Sequence, residues 1–320
     1  MAAIYKIVCK PHSHFEMVYK ADTIFGALCW AVRYIYGEQK LVDMLEQFKQ
    51  LPPFLLSSMM PMGYLYKPLL HPEKIDDTVN QHNGTKQSKK QLKQKIEQEK
   101  RKKRITIIPL TLFQKYQKNF KDIYQDPELL KTSLFEAGLG SHEITRNAID
   151  RISMHAREGV LFTELYMYSQ KPLVFYIKVL DSSYSKEWFE KVVELIGKNG
   201  LGKDCSVGKG IFAMSFDNLT KEEESIFTYT SNTFCTLSVC AGSNCNPLMY
   251  TTFTRYGKLG GAYSQNGIDG KLLFCKKPVV FYGEGSVFNG NGIAGSIISN
   301  IHSNSSIVQY GYAFPVYFTS

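Results

Sequence analysis

The sequence predicts an α+β protein built in two successive parts. Short apolar runs such as AIYKIVCK (3–10) and KPLVFYIKVL (171–180) are interspersed with stretches of helical periodicity at 22–36 and 185–198. A polar break, DNLTKEEE (217–224), then gives way to a remainder that is mostly strand with glycine-rich turns. The expected domains are therefore 1–216 and 217–320. With 320 residues and 44% hydrophobic content, the chain can bury a sizeable core.

Each element has a local reason. The first strand ends at Pro11, and Asp22 is placed to cap a helix over TIFGALCWAVRYIYG. Ile24, Leu28, Ala31 and Ile35 share one face of that helix, and Gly37 stops it. LVDMLEQFKQ makes a second helix before Pro52 and Pro53. Prolines interrupt PFLLSSMMPMGYLYKPLL, which reads as irregular chain or edge strand. Ser185 caps KEWFEKVVELIGK, and GIFAMSF is the strand beyond it. KLLFCKKPVVFYGEG continues the strand-rich remainder, and in the closing QYGYAFPVYF the alternating Tyr310 and Tyr312 belong to core packing.

Charge is unevenly placed. The formal net charge is +9, yet residues 86–104 carry ten Lys or Arg against two Glu, leaving 28 basic and 27 acidic residues elsewhere. The surrounding insert, NGTKQSKKQLKQKIEQEKRKKR (83–104), is nearly free of apolar residues. It is either a solvated helix or a mobile tether, and its use is either plain solvation or nucleic-acid contact. No apolar run reaches about 18 residues and MAAIYKIVCKPHSHF has no leader pattern, so the expectation is a cytoplasmic protein without membrane contact. The seven cysteines are expected to be reduced; Cys235, Cys240 and Cys245 recur every five residues, which fits buried thiols and not a zinc ribbon.

The stretch LIGKNGLGKDCSVGKGIFAM (195–214) is the strongest functional signal. Gly197, Gly200, Gly202, Gly208 and Gly210 alternate with Lys198, Lys203 and Lys209. It is no P-loop: Lys209 precedes Gly210 instead of Ser or Thr, and the stretch runs from helix to strand. GNGIAG (290–295) matches a dinucleotide fingerprint by letters alone, since only 25 residues follow it and none is acidic. A glycine- and lysine-rich loop between helix and strand suits an extended polyanion, with Lys203, Ser206, Lys209 and the backbone of Gly202, Gly208 and Gly210 at phosphates or sugar. A simple helix–strand turn is the alternative.

Three further segments join it. SHEITRNAIDRISMHAREGVLFTELY (141–166) brings Arg146, Asn147, Arg151, His155 and Arg157 to a polar stretch, where guanidinium groups clamp phosphates or stack on bases, or else make surface ion pairs. PHSHFEMVYKAD (11–22) offers His14, Phe15 and Lys20 near a strand end where bases can stack. His12 and His14 lack a third ligand, so no metal is expected. GEGSVFNGNG (283–292), with Gly283, Gly285 and Ser286, is either a second RNA-accepting loop or a hairpin turn.

The succession of strand one, ADTIFGALCWAVRYIYG, PFLLSSMMP, TRNAIDR, helix–GLGKDCSVGKG–strand and QYGYAFPVYF resembles the RAMP proteins of CRISPR effector complexes. Within them it is most similar to the subunit of type III-A (Csm) complexes that caps the 5′ handle of the crRNA. The resemblance spans nearly the whole chain; the lysine-rich insert and residues 105–140 match no part of it. It implies two ferredoxin-like (RRM-like, βαββαβ) modules, with a large insertion in the first that includes a thumb-like hairpin at 141–166. It also implies a non-catalytic, cofactor-free scaffold whose partners are the crRNA, the large polymerase-like signalling subunit and a backbone RAMP subunit. The competing reading is a metal-independent endoribonuclease of the same superfamily, using His14 and His155, which nothing in the sequence brings together.

Overall fold

The structure, a computed structural model, describes residues 3–70, 86–263 and 274–319. Residues 83–85 of the basic insert and 271–273 of the expected strand KLLFCKK lie outside the described residues. The chain forms two compact units, 1–62 with 134–218, and 63–133 with 219–320. The first thus ends within two residues of the expected boundary at 216, but residues 63–133, expected to elaborate the first part, make their contacts with the second.

The first unit contains β1 (Ile4–Pro11), α1 (Ala21–Tyr36), α2 (Glu38–Gln50), β2 (Phe54–Leu56), β3 (Met60–Pro61), β6 (Leu139–Ile149), β7 (Ala156–Ser169), β8 (Leu173–Val179), α6 (Lys186–Asn199) and β9 (Phe212–Asp217). Its main sheet has the order β2-β8-β1-β9, with β3 also on β8. All these pairings are antiparallel; Ile4–Cys9 face Lys178–Leu173, and Lys6–Pro11 face Asp217–Phe212. As the central strand, β1 is buried on both sides from Lys6 to Cys9. α1 follows β1 and α6 joins β8 to β9, and the two helices pack together.

α1 buries Ile24, Phe25, Leu28, Ala31 and Val32, but Ile35 is 36% exposed because the buried face drifts to Val32 in the last turn. Asp22 is not its cap: the helix starts at Ala21, and Asp22 is a buried first-turn residue beyond the Lys20 cap position. Ser185 does cap α6, accepting from the Trp188 N–H at 3.3 Å. The segment 141–166 is a long antiparallel hairpin, β6–β7, in register from Leu139↔Ser169 to Asn147↔Leu161. Its base is tied down where Phe15 and Met167 exchange backbone hydrogen bonds of 3.1 and 2.7 Å.

The second unit adds β4 (Tyr64–Tyr66), α3 (Lys86–Arg104), β5 (Ile107–Pro109), α4 (Leu110–Tyr116), α5 (Pro127–Lys131), α7 (Lys221–Thr228), β10 (Thr233–Thr236), β11 (Pro247–Met249), β12 (Thr252–Arg255), β13 (Val279–Tyr282), β14 (Val287–Asn289), β15 (Gly295–Ile298), β16 (Gln309–Tyr312) and β17 (Pro315–Tyr317). A four-stranded sheet, β11-β14-β10-β17, is accompanied by the pairs β4–β5, β12–β13 and β15–β16. Phe234, Cys240, Phe288, Ala294 and Ala313 form a core cluster beside it. Cys240 Sγ lies 3.2 Å from that of half-buried Cys245, and Tyr310 and Tyr312 are buried as expected. Half of the expected polar break is the start of α7, held by a capping box between Thr220 and Glu223.

Candidate nucleic-acid interface

The glycines of 195–214 divide by what surrounds them. A Cβ on Gly197 would lie 2.6 Å from the Phe212 carbonyl oxygen, so its absence lets α6 close on β9. Gly200, at φ +81°, ends the helix. Buried Tyr19 donates to the Leu201 carbonyl at 2.6 Å and fills the space a Cβ on Gly202 would need. A Cβ on Gly210 would sit 2.1 Å from that same carbonyl oxygen. Below, the neck closes through Leu201 N–H to Gly210 O at 2.9 Å and Gly210 N–H to His14 O at 2.8 Å. The tip turns on Asp204 (φ +64°), whose carbonyl accepts from the N–H groups of Val207 and Lys209. There Ser206, Val207 and Gly208 are exposed, and nothing lies within 4 Å of a Cβ on Gly208. Gly208 therefore leaves its backbone open to a visitor.

The hairpin base supplies the loop's electrostatic surroundings. Alternation along β6 and β7 puts His142, Arg146, Glu164 and Tyr166 on one side and Thr145, Asn147 and Leu161 on the other. Glu164 takes the Lys203 ammonium, and Arg146 Nη1 lies 3.2 Å from Glu164 Oε2 and 3.6 Å from Asp204 Oδ2. The Tyr166 hydroxyl is 2.6 Å from Asp204 Oδ2 and 2.8 Å from Glu164 Oε2, with one proton for two carboxylates. Arg146 and Lys209 both lie over its ring, at 5.3 and 5.0 Å. The Lys203 hydrogen bond holds the Glu164 carboxyl below its ordinary value, and Glu164 in turn raises Lys203. Three cations and two carboxylates leave a net of +1, so most of the cluster's positive charge is already neutralised.

Beside the neck, the His14 and His142 rings meet edge to face with centroids 4.3 Å apart. Desolvation, then the His142 and Lys209 charges, lower His14's affinity for a proton. His155 does not join them: it sits at the far end of the hairpin, next to the Ile149↔Ala156 pair. Arg151 is likewise at the exposed tip, and Asn147 faces away from Arg146. The Arg157 side chain lies outside the described ones. Phe15 is fully buried and packs on Phe212 at 5.5 Å between centroids, so it is core and not a stacking platform. Lys20 occupies the cap position of α1.

In the second unit, Gly283, Gly285 and Ser286 are all buried. A Cβ on Gly285 would meet the Lys67 carbonyl oxygen at 2.5 Å, and the Ser286 carbonyl accepts from Thr236 N–H. These residues make a packed turn instead of an open loop. GNGIAG leads into β15, where a Cβ on Gly295 would meet the Gly311 oxygen at 2.0 Å, so that glycine serves strand packing, whereas a Cβ on Gly290 or Gly292 would meet open space. Sequence reasoning missed Glu164, Tyr166 and His142, which only the hairpin register sets beside the loop, and Asp204, a loop residue whose carboxylate finds its partners on that hairpin. Among the described residues, no group of three His, Cys, Asp or Glu could hold a metal ion, and no helix is long and apolar enough to cross a membrane.

No family model and no curated protein matches the sequence. Solved structures do match the fold. A Csm1-Csm4 cassette in complex with pppApA aligns with TM-score 0.58 and 16% identity over 99% of this chain and 98% of that one. The same cassette with AMPPNP gives 0.58 and 16% over the same shares. The Csm3-Csm4 subcomplex of the type III-A CRISPR-Cas interference complex aligns with TM-score 0.57 and 18% identity over 99% and 100%. The subunit common to both assemblies is Csm4, and each aligned partner is matched nearly end to end. The chain has a Csm4-like fold.

Proposed function

We propose that this protein is a non-catalytic, RNA-binding subunit of a type III-A interference complex. In this reading the exposed tip of the glycine loop, with Lys203, Ser206, Gly208 and Lys209, holds the repeat-derived 5′ end of the guide RNA, and Arg146 flanks it. The protein joins a large Csm1-type subunit to a Csm3-type backbone subunit. The carrying observation is the near-complete likeness in fold to the subunit shared by Csm1-Csm4 and Csm3-Csm4 assemblies. The β2-β8-β1-β9 order, with α1 after β1 and α6 between β8 and β9, supports a ferredoxin-like module in the first unit. The four-stranded sheet after α7 supports a reduced second module.

The test is purification of the tagged full chain from its native host, with sequencing of bound RNA. Expected are RNAs sharing one repeat-derived 5′ end, together with the two partner subunits. Lys203→Ala with Lys209→Ala should lower the slope of log K against log salt by about 1.4, at ~0.7 per single-strand phosphate contact. Metal-free cutting of repeat RNA at one fixed position by the purified chain, lost in His14→Ala, would replace this reading with the nuclease.

A further inference from the structure

We infer that the outer face of α3 is a second, sequence-independent binding site for the phosphate backbone of single-stranded RNA. The site belongs to the other compact unit, shares no residue with the glycine loop and does not rest on the function proposed for it. Along α3, Ile96, Glu99 and Lys102 recur at three-residue spacing and are half-buried, and Lys102 donates to Glu99 at 2.7 Å. The helix packs on α5. That inner face fixes its rotation. Lys93, Glu97, Lys100, Arg101 and Arg104, at i, i+4, i+7, i+8 and i+11, are all exposed on the other side. They form a stripe of net +3 along about 17 Å of helix axis.

The chemistry of this stripe selects its occupant. A membrane-surface helix presents an apolar face to the lipid, and none of the described side chains on this outer face is apolar. A protein interface centres on aromatic or aliphatic anchors and is depleted of lysine, and the stripe again offers none. A phosphate backbone needs only closely spaced cations, from which counterion release supplies affinity without sequence readout. The outer face also sets like charges close together: Lys100 and Arg104 repel at i, i+4, and an anion lying along them relieves that repulsion. With 28 basic against 27 acidic residues outside 86–104, no general basicity of the protein accounts for the stripe.

The experiment uses the full chain and a 30-nucleotide polyuridylate RNA, titrated by fluorescence anisotropy from 50 to 200 mM KCl. The quadruple variant Lys93→Gln, Lys100→Gln, Arg101→Gln and Arg104→Gln keeps residues of good helix propensity. Its log K–log salt slope should fall by about 2.8, and binding at 100 mM should weaken about tenfold or more. Restoring Lys at 100, 101 and 104 should recover most of the slope. An unchanged slope overturns the proposal, as does stripe-dependent binding to phosphatidylserine vesicles or polyglutamate that equals binding to RNA. The Lys203/Lys209 double variant in the same assay separates the two sites. A slope lost there and kept in the α3 variant sinks this inference alone; the reverse supports it and removes the loop's role.

Discussion

Glu164→Gln should tighten RNA binding. In the folded protein this carboxylate takes the Lys203 ammonium, lies 3.2 Å from Arg146 Nη1 and faces the Tyr166 hydroxyl. An incoming phosphate must therefore compete with Glu164 for two of the three cations at the loop. Replacing the carboxylate by an amide of the same shape moves the cluster from net +1 to net +2 and leaves Lys203 free to meet a phosphate. One additional cation engaged raises the log K–log salt slope by about 0.7. The variant's advantage over wild type should consequently shrink about 2.6-fold between 50 and 200 mM salt. The pair is near the surface, so the melting temperature should barely move. The assay is anisotropy with a short RNA carrying the repeat-derived 5′ sequence, beside a thermal melt. Unchanged or weaker binding with an unchanged melt would refute the reasoning, because it would mean that Lys203 meets no phosphate or that Glu164 holds the binding geometry.

Other outcomes follow from packing. Gly210→Ala should lower the melting temperature by several degrees because its Cβ would collide with the Leu201 carbonyl, whereas Gly208→Ala meets open space and should cost only the left-handed backbone penalty of roughly 1–2 kcal/mol. Leu28→Ala should destabilise by roughly 2–5 kcal/mol, while Ile35→Ala should be nearly neutral in the same denaturant titration. Burial pushes the Lys67 ammonium down to about 8 despite its 3.2 Å contact with the Tyr124 hydroxyl, so at pH 7 the fold carries a net penalty of about 3 kcal/mol. Lys67→Met should therefore stabilise the protein at pH 7. Wild-type stability should climb from about pH 8 toward the ordinary lysine value, where the unfolded chain still binds that proton and the folded one does not, and the variant should lack this climb.

The parts of this architecture readable from sequence are those set by local rules. Ser185 before KEWFEK, the β1 run ending at Pro11 and Gly200 at the end of α6 each have a short-range cause. The capping box at Thr220 was equally readable, but the run of acidic residues after it imitates a loop. Asp22 misleads because a good cap residue stands two positions past the actual cap, Lys20, while the Ala21 N–H is taken up by the distant Ser58 hydroxyl at 3.0 Å and the helix starts there. Within the candidate site, the loop's lysines were visible and their carboxylate partners were not. Glu164 lies 39 residues from Lys203, and only the β6–β7 register joins them. Gly285 and Ser286 resemble an open loop by composition, yet the Lys67 backbone, over 200 positions earlier, packs against Gly285.

The irregularity in β6–β7 also has a bearing on how this hairpin can vary. Pairing is regular up to Asn147↔Leu161 and shifts before Ile149↔Ala156. A slip of one residue in a two-stranded ribbon exchanges its faces, which would turn Arg146 and Tyr166 away from the glycine loop. The shift lies on the outer side of those residues, so it insulates them. Residues beyond it can be inserted, deleted or re-paired without passing a change of phase down to the base. The arm is thus divided into a portion whose parity is fixed and a portion free to drift in length.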